Sequence, residues 1–212
     1  MTPIKFKLHD EIIKTIVLDL NGTISIQISN NPYYMRFRNN YIQSQLSNVS
    51  SEILSKTSTT KVFKSLKLDC EDFYEYRKSN FDWSLLIDFN KEIYQLLKSL
   101  KSAGYNLVIY SNCRKDQLDA TLDILQLSCF FDLILSQEDD FIKPNFKGYL
   151  YISNCLDTSI DQMVMISDNT RIDLKPLESI GGNTIRIRNS SYLPKAISKV
   201  IQHNLELEKG FF

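Results

Sequence analysis

Five side chains carry the chemistry this sequence has to offer: Asp19, Ser111, Lys143, Asp168 and Asp173. Asp19, Ser111 and Asp168 each stand at or just past the end of a short apolar run, at 16–18, 107–110 and 163–166. Asp173 follows Asp168 within a turn, and Lys143 follows the run at 133–135 after an acidic loop. Three carboxylates in one place would repel one another unless a divalent cation or Lys143 offset them. Clustered oxygens on short side chains suit Mg²⁺. Ser111 and Asn112 precede a helical stretch, where such residues cap and exposed backbone N–H groups attract phosphate. Lys143 is held extended by Pro144, which suits a first helical position, so its ammonium turns back over the strand ends. Each residue also has a plainer reading as a turn, a cap or a surface lysine. Their shared placement argues for a site.

The elements must supply that placement. At 14–23, the run Ile16, Val17, Leu18 stops at Asp19 and the turn pair Asn21-Gly22, which reads as a buried strand. Gly22 lets the chain turn sharply. Ile93, Leu96, Leu97 and Leu100 stripe a helix closed by Gly104, and 105–110 is a strand. Leu118, Leu122 and Leu125 stripe the next helix, 132–136 is a strand, and a helix runs to about 156. Strands at 163–166 and 184–187 and a final helix with Ala196, Ile197, Val200 and Ile201 inward complete the pattern. Such alternation predicts right-handed crossovers and an α/β core of three layers, a Rossmann-like parallel sheet covered on both faces. Ligands of such sheets lie at the strands' carboxyl ends.

Between 24 and 86 the alternation lapses. Ile42, Leu46, Val49 and Ile53 predict an amphipathic helix, 55–60 is a polar break, and 69–78 reads as another helix. The expected organisation is a core of 1–23 and 87–212 with a mainly helical insert of 24–86.

The 25 basic and 25 acidic residues cancel, so no field points to nucleic acid or a membrane. No run approaches a membrane span and no leader is evident, which predicts a cytoplasmic protein, a monomer or homodimer. The four cysteines form no CxxC pair, as reduced thiols would not. His9 and His203 read as surface histidines.

These residues together resemble the haloacid dehalogenase superfamily of aspartate-nucleophile phosphohydrolases. Its Asp-x-Asp-x-Thr motif corresponds to Asp19-Leu20-Asn21-Gly22-Thr23, and its strand ending in Ser or Thr to Tyr110-Ser111-Asn112. Its Lys-Pro pair is Lys143-Pro144, and its Gly-Asp-x-x-x-x-Asp corresponds to Ser167-Asp168-Asn169-Thr170-Arg171-Ile172-Asp173, with Ser167 at the Gly position, followed by Gly181-Gly182. The resemblance covers about 14–23 and 88–190, and the insert falls where the superfamily carries a helical cap. It implies a Mg²⁺-dependent phosphatase acting on a small phosphorylated metabolite, a sugar phosphate or nucleotide. Asp19 would be the nucleophile; Asp19, the Asn21 carbonyl, Asp168 and Asp173 would serve the metal; Ser111, Asn112 and Lys143 would hold the phosphoryl oxygens.

One departure from the pattern matters. The superfamily's phosphatases carry a second Asp as general acid and base where this chain has Asn21, and losing such a group costs about 10²–10⁴-fold in rate. A slow phosphatase and a catalytically impaired phosphate-binding or regulatory protein therefore both remain open. A dehalogenase is disfavoured, because Asp168 would be of no use to it. Tyr33, Tyr34, Arg36 and Arg38 form a basic, aromatic cluster suited to gripping substrate.

Overall fold

The computed structural model describes residues 4–210. By contacts the chain falls into two compact units, one running to Ile26 and resuming at Ile87, the other Gln27–Leu86.

The first unit is built on a six-stranded sheet, β1 (Lys5–Lys7), β2 (Thr15–Leu18), β3 (Asn106–Tyr110), β4 (Leu133–Leu135), β5 (Met163–Ser167) and β6 (Asn183–Arg186). Their spatial order is β1-β6-β5-β2-β3-β4, with only β1 antiparallel. β2 lies between β3 and β5, with Leu18 in register with Ile109 and Ile166. The chain thus leaves β2 in one direction and returns on its other side, the switch point at which such sheets open a crevice beyond their carboxyl ends.

All four residues of β2 and all five of β5 are buried, as expected of strands covered on both faces. Side chains alternate between those faces. Val17, Val108, Tyr110, Met163 and Met165 pack with Tyr149 and Ile152 of α7 (Lys147–Leu156) and Leu177 of α8 (Lys175–Glu178). Two further helices, α5 (Lys91–Ser102) and α9 (Leu193–Gly210), pack on each other and bury Ile93, Leu97, Leu100, Ala196, Ile197 and Val200. Asn204 of α9 both accepts from the Ile13 N–H and donates to the Ile13 carbonyl, each at 2.8 Å, a side-chain copy of a sheet ladder.

The second unit holds α1 (Pro32–Gln45), α2 (Ser51–Leu54), α3 (Thr59–Leu66) and α4 (Cys70–Asn80). The single helix expected through Ile42–Ile53 is two: α1 ends at Gln45, and a turn separates it from α2, where Ser50 caps the Ile53 N–H. Phe37, Tyr41, Phe63 and Phe73 form its aromatic centre. Among the described residues no disulfide joins cysteines, and no helix is long and apolar enough to cross a membrane.

Candidate active site

β2 delivers Asp19 one residue beyond its last hydrogen-bonded position, where the Asp19 N–H still reaches the Ile166 carbonyl at 3.4 Å. The chain then curls tightly. The Leu20 carbonyl accepts from Thr23, Ile24 and Ser25, and Gly22 has φ +82°, a left-handed turn that glycine adopts at little cost. Asn21 pairs with Ser25 in an isolated bridge.

Against Asp19 stands Lys143, only 4% exposed. Its ammonium donates to Asp19 Oδ1 at 2.9 Å, meets Asp173 Oδ1 at 2.5 Å and donates to the Tyr110 carbonyl at 2.8 Å. Burial alone would push this ammonium's pKa down, but Asp19 and Asp173 outweigh it and raise it above its ordinary value. Asp173 is pushed up to about 6, first by burial and then by the charge of Asp19, against the pull of Lys143 and of the Ser167 hydroxyl. That hydroxyl hydrogen-bonds the second oxygen of Asp173 and accepts from the Asn169 N–H. One carboxylate oxygen each from Asp19, Asp168 and Asp173 lies within 4.8 Å of the others. Asp168 follows β5 directly, and Asp173 sits in a short π-helix, Thr170–Leu174, capped by Asn169. Asn169, and neither aspartate, is the cap there.

The Lys143 loop is fastened from β3. The Tyr110 hydroxyl donates to the Phe141 carbonyl and shares that proton more weakly with the Asn145 carbonyl at 3.2 Å. Asn112 donates to the Lys143 carbonyl and accepts from the Lys143 N–H, both at 2.8 Å. This corrects two expectations. Ser111 and Asn112 are not helix caps, because α6 (Lys115–Leu125) starts three residues later behind Arg114; the Asn112 side chain holds the Lys143 backbone instead. Nor is Pro144 a first helical residue, because the loop is tied into a turn and α7 begins at Lys147. Ser111 stays buried, its N–H extending the ladder to the Leu135 carbonyl and its hydroxyl accepting from Cys113.

Asn21 Oδ1 accepts from Gln117 of α6 at 3.0 Å. The expected substrate cluster of the second unit is divided. Arg38 is fully buried and donates to the carbonyls of Leu54, Lys56 and Thr57, and Tyr34 is buried with its hydroxyl accepting from Arg77. Both are turned into the packing of their own unit, while Arg36 is exposed on α1. Ser167, Tyr110 and Gln117 escape a reading by motif. Gln117 alone leaves a trace in the sequence: a polar residue on the buried stripe of Leu118, Thr121, Leu122 and Leu125.

The arrangement gathers three carboxylates, two of them on the Lys143 ammonium. A phosphate dianion would be repelled unless a divalent cation joined it, and an all-oxygen donor set suits a hard cation. The donor set fits such an ion.

The haloacid dehalogenase-like hydrolase profile matches residues 16–186. An (S)-2-haloacid dehalogenase 4A of Burkholderia cepacia is 30% identical over 112 residues, 52% of this chain and about half (48%) of that protein. Pyrophosphatase PpaX of Bacillus cereus strain B4264 is 24% identical over 169 residues, 74% of this chain and 75% of its own length. Among solved structures, a HAD phosphatase from Thermococcus onnurineus is similar at a TM-score of 0.64 and 21% identity, covering 87% of this chain and 98% of its own. The L-2-haloacid dehalogenase from Xanthobacter autotrophicus is similar at a TM-score of 0.55 and 18% identity, covering 81% and 76%.

Proposed function

The chain belongs to the haloacid dehalogenase-like hydrolases, and from that premise we propose that it is a Mg²⁺-dependent phosphatase of a small phosphorylated metabolite. The observation that carries this is the acidic trio with Lys143 at the end of β2: Asp19 lies 2.9 Å from the ammonium and within 4.8 Å of two further carboxylates. Displacing halide from a monoanionic acid has no use for such a cluster, whereas bringing a phosphate dianion to an aspartate does. Asp19, Asp168, the Asn21 carbonyl and Asp173 would hold the cation, which when bound offsets the repulsion between carboxylate and phosphate.

Asp19 Oδ attacks phosphorus in line, the bond to the leaving oxygen breaks, and the phosphoryl group rests on Asp19 until water removes it. Lys143, anchored by Asn112 and Tyr110, balances charge on the phosphoryl oxygens as it shifts, and the Ser111 hydroxyl donates to them. Asp173, gripped by Lys143 and Ser167, keeps that ammonium aimed at Asp19.

Asp19→Asn tests the reading. Phosphate release from para-nitrophenyl phosphate with Mg²⁺ should vanish in the variant, along with the hydroxylamine-labile phosphoprotein that the unaltered chain should form, while circular dichroism stays the same. Turnover surviving that change would remove Asp19 as nucleophile. Phosphate bound without any release would favour the binding or regulatory role.

A further inference from the structure

Two asparagines grip the backbone in the same way. Asn204 of α9 holds the N–H and the carbonyl of Ile13, just ahead of β2, and Asn112 holds the N–H and the carbonyl of Lys143, each bond at 2.8 Å. These are the two bonds that a hydrogen-bonded pair of antiparallel strands exchanges. Here one planar amide supplies both, its oxygen accepting and its nitrogen donating. At Ile13 the grip fastens a helix to an apolar residue at the amino end of β2. At Lys143 it fastens a residue that lies between β4 and the start of α7 at Lys147, in neither a strand nor a helix.

A loop residue turns about both backbone dihedrals unless something claims its peptide groups. With its N–H and carbonyl both held on one side chain, Lys143 must face them the same way, and its Cα–Cβ bond keeps one direction. That aim matters because the ammonium has three protons and three acceptors: Asp19 Oδ1 at 2.9 Å, Asp173 Oδ1 at 2.5 Å and the Tyr110 carbonyl at 2.8 Å. The Tyr110 ring centre lies 5.2 Å from the same nitrogen. A backbone free to swing would draw the ammonium off these partners. We infer that Asn112 is a positioning residue whose side chain acts on the reaction through the Lys143 backbone rather than by touching the phosphoryl group. The effect on rate rests on the phosphatase reading; the aiming of Lys143 does not.

The test sets Asn112→Ala beside Asn204→Ala, which removes the same pair of bonds away from the site. In the unaltered chain the Lys143 ammonium, buried and held by three acceptors, should give a sharp proton–nitrogen signal by NMR. Asn112→Ala should broaden or abolish that signal, and Asn204→Ala should leave it. On para-nitrophenyl phosphate with Mg²⁺, Asn112→Ala should lower kcat about 10²-fold, as a misplaced group does, with KM little moved. Asn204→Ala should melt earlier and keep both constants. Asn112→Asp still accepts from the Lys143 N–H but sets an oxygen against the Lys143 carbonyl, and should lose at least about tenfold in kcat, the worth of one hydrogen bond. It and its counterpart Asn204→Asp carry the test if an alanine variant fails to fold. Asn112 variants with unaltered kcat and ammonium signal, or losses that the Asn204 variants share in equal measure, would overturn the inference. If no phosphate is turned over in an Asp19-dependent way, the proposed function fails, and the ammonium signal then decides whether Asn112 aims Lys143.

Discussion

A single proton at Asp173 ties the stability of the site to pH, and to the cation proposed there. Its carboxyl is pushed up to about 6 from an ordinary value of 3.8, so the folded chain holds this proton more tightly than the unfolded one. A raised pKa adds stability that is full below about pH 4 and is lost as pH climbs through about 6. With EDTA present, Tm should therefore fall across that window on account of Asp173, and Asp173→Asn should flatten the slope. On the proposed reading Mg²⁺ would bind the deprotonated site, so adding it should raise Tm more at pH 7 than at pH 5. A Mg²⁺ effect equal at both values would mean that this proton and the metal do not compete. At this scale Asp19, Lys143, Asp168 and Asp173 were legible in the sequence, because each follows an apolar run that the parallel sheet brings to one rim. Ser167 and Tyr110 were not. Their contacts to Asp173 and to the Lys143 loop span positions whose meeting depends on β3 and β5 flanking β2.

The elements show how a loop lysine is made rigid. Gly148 opens α7 directly against the Tyr110 ring, and a Cβ at that position would fall far inside contact with the Tyr110 hydroxyl and ring carbons. That hydroxyl ties down Phe141 and Asn145 on either side of Lys143. Gly148→Ala should therefore cost about 1–3 kcal/mol through overpacking and lower kcat by dislodging Lys143. Adding Tyr110→Phe removes the nearest atom, so the double variant should be less unstable than the two losses summed. Thermal melts and steady-state kinetics on the three variants check this, and strict additivity would show that the hydroxyl does not carry the clash. The sequence announced β3 and α7 through their apolar periodicity. It placed the start of α7 three residues early, at Pro144, because Pro favours a first helical turn and the carbonyls claimed by Tyr110 leave no local mark.

On the scale of the whole molecule, each unit carries its own polar fastening. In Gln27–Leu86 it is Arg38, whose guanidinium, its pKa lowered by burial, satisfies three carbonyls of the α2–α3 connection. Arg38→Ala strands those acceptors and should cost about 3 kcal/mol. Hydrogen exchange should quicken throughout that unit, and unchanged protection there would remove Arg38 as its fastening. The sequence offered Arg38 as a ligand group because charge and position were visible while burial was not. The core sheet was easier to read, since alternating strands and helices leave few other topologies. That sheet also sets a timetable. β2 is the central strand, yet it pairs with β3, Thr15 opposite Asn106, and with β5, Thr15 opposite Met163. At roughly 5–20 residues per second of synthesis, on the order of ten seconds or more separates the emergence of β2 from that of β5. For that interval the segment carrying Asp19 has at least one ladder edge unpaired, the one that β5 later covers. A nascent chain halted before β5 should therefore be degraded by protease up to the Asp19 turn, and the ribosome must release the chain through Asp173 before the site can exist.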